Sequence, residues 1–279
     1  MNTPRLSKML RPHPDSALEY WFFKVNAGPV ALIVDWIARR KKFESVIRAS
    51  VHSPLGRAVI FENRQPLFDE YSLLTTSRTA GQAGDLAWDL SIEIKSEWIA
   101  PDIFPAGLMR MTDLFLVSAP IALFTGWTRH GDRRFELDRA RGMLSHYWGR
   151  ALASEWWWVS ANQFDRDDVA VECSVFRTGV WGIPIRLPLA YLYLRRGGDR
   201  KLLIAPFGLA NVFGAPNAFE IQFNHPGRLP ITLLARGHDY GDFGDGIVNT
   251  LVGDLEIRDG GELIATARGT AGLERRGGA

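Results

Sequence analysis

The chain has 279 residues, 33 Lys and Arg against 31 Asp and Glu for a formal charge of +2, and 46% hydrophobic residues. That length holds one large domain or two of about 140 residues. Lys and Arg are scattered and no recognition motif is present, which argues against a nucleic-acid partner. The single Cys173 excludes an intramolecular disulfide and fits a reducing compartment.

Met1 to Pro14 has charges but no apolar h-region, so no signal peptide is expected. Val30, Leu32, Val34, Trp36 and Ala38 alternate as a strand does, and Pro54 to Phe61 reads as a short helix. Leu86 to Lys95 alternates apolar and polar residues, the mark of a half-buried antiparallel strand. A second short helix is expected at Leu108 to Ser118. The most apolar stretch, Leu114 to Trp127, is interrupted by Pro120 and too short to span a bilayer. These features predict a cytoplasmic protein that a lipophilic substrate could bring to a membrane surface.

Ser145 to Phe164 places Trp148, Trp156, Trp157 and Trp158 close together in sequence, beside His146, Tyr147, Glu155 and Asn162. From Trp156 onward, alternation sends Trp156, Trp158, Ser160 and Asn162 to one face and Trp157, Val159 and Ala161 to the other. Both faces are largely apolar, so the strand should be covered on both sides. The indoles either fill a core, with their N–H groups tied to polar neighbours, or wall a lipophilic-ligand pocket. Val169 to Val175 gives a further strand. Gly197-Gly198 and Gly260-Gly261 each sit between two strand patterns, as hairpin turns do. Many short strands with tight turns predict an all-β sandwich or barrel, and barrels remove the problem of open edges. The strand supply suffices for two, with a boundary in the polar stretch Arg141 to Gly149.

The Trp148-Gly149 pair, a short spacer and the aromatic cluster resemble the central motif of tocopherol cyclases and carotenoid 1,2-hydratases, whose relatives include AttH-type proteins. His13-Pro14-Asp15 followed by Glu19-Tyr20-Trp21-Phe22-Phe23 is similar to the first-barrel box of that superfamily. Gly269 to Glu274 is similar to its closing strand, and Thr125-Gly126-Trp127 with His130-Gly131-Asp132 to its preceding hairpin. The resemblance implies two tandem lipocalin-like antiparallel β-barrels packed side by side, residues 1–144 and 145–279. It also implies cyclisation, hydration or isomerisation of a hydrophobic terpenoid or polyketide without a redox cofactor. Where the family commonly carries a carboxylate and an Asn before Trp-Gly, this chain has Ser145 and Tyr147.

No nucleophile elbow, Walker loop or His-Glu-x-x-His motif is present, and the six histidines show no paired spacing, so neither metal nor cofactor is expected. Acid–base chemistry remains. Glu19, Glu155 and His146 are the candidate catalytic residues; Trp21, Tyr147, Trp148, Trp156, Trp157, Trp158 and Asn162 are the candidate substrate-binding residues. Burial would raise the pKa of Glu155 toward that of a general acid, unless it is a solvated turn residue. Glu19 could instead pair with an arginine, and His146 could be a structural histidine. Asn162 either orients a ligand carbonyl or caps a neighbouring strand. A buried, unpaired carboxylate would cost stability, so its replacement by Gln should raise the melting temperature. The alternative to catalysis is a carrier of a lipophilic metabolite. Substrate and oligomeric state are not written in these patterns.

Overall fold

Alternation of the kind read at Leu86 to Lys95 runs through nearly every segment of the chain. The computed structural model describes residues 10–69, 71–99, 114–180, 183–206, 209–215, 217–225 and 228–277. Among them are nineteen strands, one short 3-10 turn at Arg40–Lys42 and no α-helix. No helix there is long and apolar enough to cross a membrane.

Contacts divide the chain into two units, the first reaching Leu152 and the second beginning at Ala153. The first holds β1 (Leu18–Ala27), β2 (Val30–Arg39), β3 (Glu44–Ser53), β4 (Gly56–Asn63), β5 (Ser72–Leu74), β6 (Arg78–Ala83), β7 (Leu86–Ile99), β8 (Leu114–His130) and β9 (Arg133–Gly149). They form one sheet in the order β4-β3-β2-β1-β9-β8-β7-β6-β5, with each neighbouring pair antiparallel. The sheet curls until distant strands touch. The Trp36 indole N–H donates to Ser72 Oγ at 2.8 Å, joining β2 to β5, and the Gly84 N–H donates to Glu62 Oε2 at 3.3 Å, joining the β6–β7 turn to β4. Inside the curl, Trp21, Phe23, Trp36, Trp88 and Phe124 form the core with the aliphatic residues of their faces. Each such side chain contributes about 1.5–3 kcal/mol by leaving water.

Neither expected helix forms among the described residues. Ser53 pairs with Gly56 across a turn in which Gly56 holds φ +101°, and Val59, Ile60 and Phe61 continue as strand β4. Leu114 to Ser118 opens β8, while 108–113 lie outside the described residues. Arg141 to Gly149, expected to be a polar turn region, is the end of strand β9. Its polar members sit in the sheet: Ser145 Oγ donates to the Val117 carbonyl at 2.8 Å.

The second unit holds β10 (Glu155–Ala161), β11 (Val169–Val180), β12 (Ile183–Arg196), β13 (Asp199–Pro206), β14 (Ala210–Ala215), β15 (Ala218–His225), β16 (Arg228–Arg236), β17 (Gly241–Asp242), β18 (Ile247–Asp259) and β19 (Glu262–Arg276). Its sheet runs β13-β12-β11-β10-β19-β18-β16-β15-β14, with β17 paired to β18. Gly197-Gly198 and Gly260-Gly261 make the two expected hairpin turns. Val159, Ala161, Val171, Cys173, Leu192, Leu255 and Leu273 lie in its core, so Cys173 is a buried hydrophobe. The architecture is two tandem lipocalin-like barrels.

Candidate active site

The register of β1 against β9 sets Trp21 opposite His146 and Glu19 opposite Trp148. Alternation then turns all four side chains to the core face of the first unit, at the end of the two strands where β1 begins. The segment preceding β1 closes over them. Leu10 accepts a 2.9 Å hydrogen bond from the Trp21 indole N–H, and His13 stacks on Trp148 with ring centroids 4.1 Å apart. The His13 backbone N–H donates to Glu19 Oε2 at 2.8 Å. On the other carboxylate oxygen, Arg40 forms an ion pair with Glu19 Oε1. His146 lies against the Trp21 indole at 4.5 Å and points Nε2 to Glu19 Oε2 at 3.3 Å.

Glu19 and His146 are fully buried, whereas the His13 and Arg40 side chains are 29% and 38% exposed. Solvent therefore reaches the cluster from the His13 and Arg40 side. Burial by itself would raise the pKa of Glu19, but the bond with His146, the His13 N–H and Arg40 outweigh it and hold the carboxyl below its ordinary value. Burial pushes the pKa of His13 down, against the opposing pull of Glu19. At neutral pH the carboxylate is ionised and His13 is neutral. The arrangement can pass a proton through an imidazole whose charge the carboxylate balances, between indole faces that favour a cation. Sequence reasoning included Glu19, His146, Trp21 and Trp148 here. It missed His13 and Arg40, although His13 lay in the motif compared with the first-barrel box.

Tyr147 points away from this cluster, as the alternation of β9 requires. It packs with Leu18, Tyr20 and Ile37, and its hydroxyl donates to the Ala151 carbonyl at 2.5 Å. On the same face of the sheet, Tyr20 donates to Asp35 Oδ2 at 2.6 Å and Arg48 Nε donates to that oxygen at 2.9 Å. Burial raises the Asp35 pKa against the opposing effects of Arg48 and Tyr20. Asp35 and Arg48 stand opposite each other in the register of β2 and β3, which the sequence does not announce.

In the second unit, the triple tryptophan divides as alternation requires. Trp157 packs on the core. Trp156 and Trp158 take the other face, where the Trp156 indole N–H donates to Glu274 Oε1 at 2.9 Å and Arg276 sits over its ring. Trp158 and Asn162 are buried on that side too. Glu155 is not the buried acid considered from sequence. At the first position of β10 it pairs with Arg177 at 3.2 Å and is 34% exposed. The buried carboxylates of this unit are Glu172 and Glu274, and the Tyr191 hydroxyl donates to Glu172 Oε1 at 3.1 Å. Glu172 lies on the face of β11 opposite the core-facing Val169, Val171, Cys173 and Val175, so alternation alone gave no sign of its burial.

No family model matches the chain. Two uncharacterized proteins of Mycobacterium tuberculosis, from strains CDC 1551 and H37Rv, are each 27% identical over 127 residues, 45% of this chain. The match spans only 38% of the length of those curated relatives. A candidate AttH from Nitrosomonas europaea superposes with a TM-score of 0.65 at 14% identity, over 98% of this chain and 96% of that one. Kievitone hydratase from Nectria haematococca gives 0.65 at 10% identity, over 95% and 90%. CghA, in a structure with Sch210972, gives 0.53 at 14% identity, over 93% and 88%. At these identities the likeness concerns the fold, and in fold the chain is similar to AttH-like, lipocalin-type barrel proteins.

Proposed function

We propose that this chain is an enzyme that hydrates, cyclises or isomerises a hydrophobic terpenoid or polyketide without a redox cofactor. The observation that carries the reading is the buried Glu19–His146 pair set against the indoles of Trp21 and Trp148. His146 is the proton donor and acceptor; Glu19, ionised, orients it and balances its charge. The indole faces shelter the cation that protonating an alkene creates. Ser145, which replaces the carboxylate of tocopherol cyclases and carotenoid hydratases, faces away from this pair, so its chemistry is not needed there. One structural neighbour is a hydratase and another holds a small molecule, which supports small-molecule chemistry of this kind.

The test begins with mass spectrometry of an organic extract of the purified protein, to identify a hydrophobic compound that travels with it. Incubating that compound with the protein in deuterated water should yield a hydrated, cyclised or isomerised product carrying solvent deuterium. His146→Gln should abolish turnover while leaving binding intact. Binding without turnover in the unaltered protein would instead make it a carrier. Full turnover in both His146→Gln and Glu19→Gln would remove this pair from the chemistry.

A further inference from the structure

The histidines have no paired spacing along the chain, but the fold gathers residues that sequence separates. His13, Glu19 and His146 each offer one donor atom, and the three lie within 4.8 Å of one another. Two of the separations are close to those of a finished site. Glu19 Oε2 stands 3.6 Å from His13 Nδ1 and 3.3 Å from His146 Nε2. A tetrahedral ion with bonds of about 2.1 Å keeps its donors about 3.4 Å apart. His13 Nδ1 is buried and faces Glu19 Oε2 at a length just beyond an ordinary hydrogen bond, so the two stand as two donors on one ion would.

We propose that His13, Glu19 and His146 form a binding site for one zinc-class divalent transition ion. Two imidazoles and one carboxylate oxygen are the donor set that zinc, cobalt or nickel favours; calcium and magnesium ask for more oxygens. Arg40 occupies Oε1, so Glu19 binds through Oε2 alone. His13 lies in the irregular segment before β1, outside the sheet hydrogen bonding that fixes Glu19 and His146, and supplies the small closing movement. A solvent molecule completes the coordination from the exposed side. The inference stands on donor geometry and is measured without substrate, so it holds or fails apart from the proposed reaction. Because cation and proton would use the same lone pairs, an occupied site would silence the acid–base role of His146.

The full-length protein, stripped with chelator and dialysed free of it, is titrated with cobalt(II) and, in a calorimeter, with zinc(II). The expected result is one equivalent of each, with the intense visible absorption of four-coordinate cobalt. His13→Ala should weaken both at least about tenfold, and it is the decisive variant because His13 lies outside the strands. His146→Ala, checked for folding by circular dichroism, should do the same. His238→Ala, which alters an exposed histidine paired with Asp254 in the second unit, should leave binding unchanged. Substoichiometric binding, octahedral cobalt spectra, or unaltered affinity in His13→Ala would overturn the proposal.

Discussion

Lys24 lies on β1 opposite Ile33 of β2 and Met143 of β9, and it is 2% exposed. Burial pushes its pKa from 10.5 down to about 7. An unfolded lysine stays protonated up to 10.5, whereas the folded one gives up its proton at about 7. Between those values unfolding takes up a proton, so this residue makes stability rise with pH across that window and penalises folding most below it. At about 1.4 kcal/mol per pKa unit the penalty is about 4 kcal/mol at pH 7 and about 2 kcal/mol near pH 9. Lys24→Met keeps the stem and removes the charge. It should stabilise the protein by an amount that shrinks as pH rises, with those figures as ceilings because the ammonium's own hydrogen bonds go too. At roughly 2–4 °C per kcal/mol, the gain at pH 7 is on the order of 10 °C. Urea denaturation of both proteins at a series of pH values reads this directly. A difference independent of pH, or a variant weaker at pH 7, would refute the reasoning.

Glu19→Gln should lower stability by about 1–3 kcal/mol, because the carboxylate is bonded to His13, His146 and Arg40. That reverses the expectation for an unpaired acid, and a raised denaturation midpoint would contradict the ion pairing. Gly126 sits at φ +141° in β8, where an added Cβ would stand 2.2 Å from the Asp89 carbonyl oxygen. Gly126→Ala should cost about 3 kcal/mol or more by forcing β7 and β8 apart, read as lost soluble yield and a lower melting temperature. Unchanged melting would show that the strands can give.

Period-2 alternation made the strands legible at Val30 to Ala38 and Leu86 to Lys95, and paired glycines made both hairpins legible. Where it failed, the local pattern was ambiguous. Pro54 to Phe61 has apolar residues compatible with a helix, and only the pairing with β3 decides for strand. The candidate site was half legible. Glu19, Trp21, His146 and Trp148 could be chosen because each lies in a dense aromatic motif. That Glu19 faces His146 depends on the register of β1 against β9, which no local pattern announces. His13 and Arg40 join through a chain segment and a turn whose paths are tertiary. Glu155 stands out in the sequence for its tryptophan neighbours, yet it opens β10, and a strand's first position is the wetter place; Glu172, in mid-strand, is the buried acid.

In each unit the first strand lies beside the last: β1 is bonded to β9, and β10 to β19. Biosynthesis therefore sets an order of events. Leu18 emerges long before Gly149, its partner, and until then β1 offers an open edge to whatever strand is near. Pairings so far apart in sequence are slow to form, and a chain stalled before β9 would be an aggregation nucleus rather than a half-built barrel. The same adjacency brings the ends of each unit together in space. Either unit could thus be rejoined end to end and opened at a hairpin, such as the His130–Arg133 turn, with its sheet order preserved.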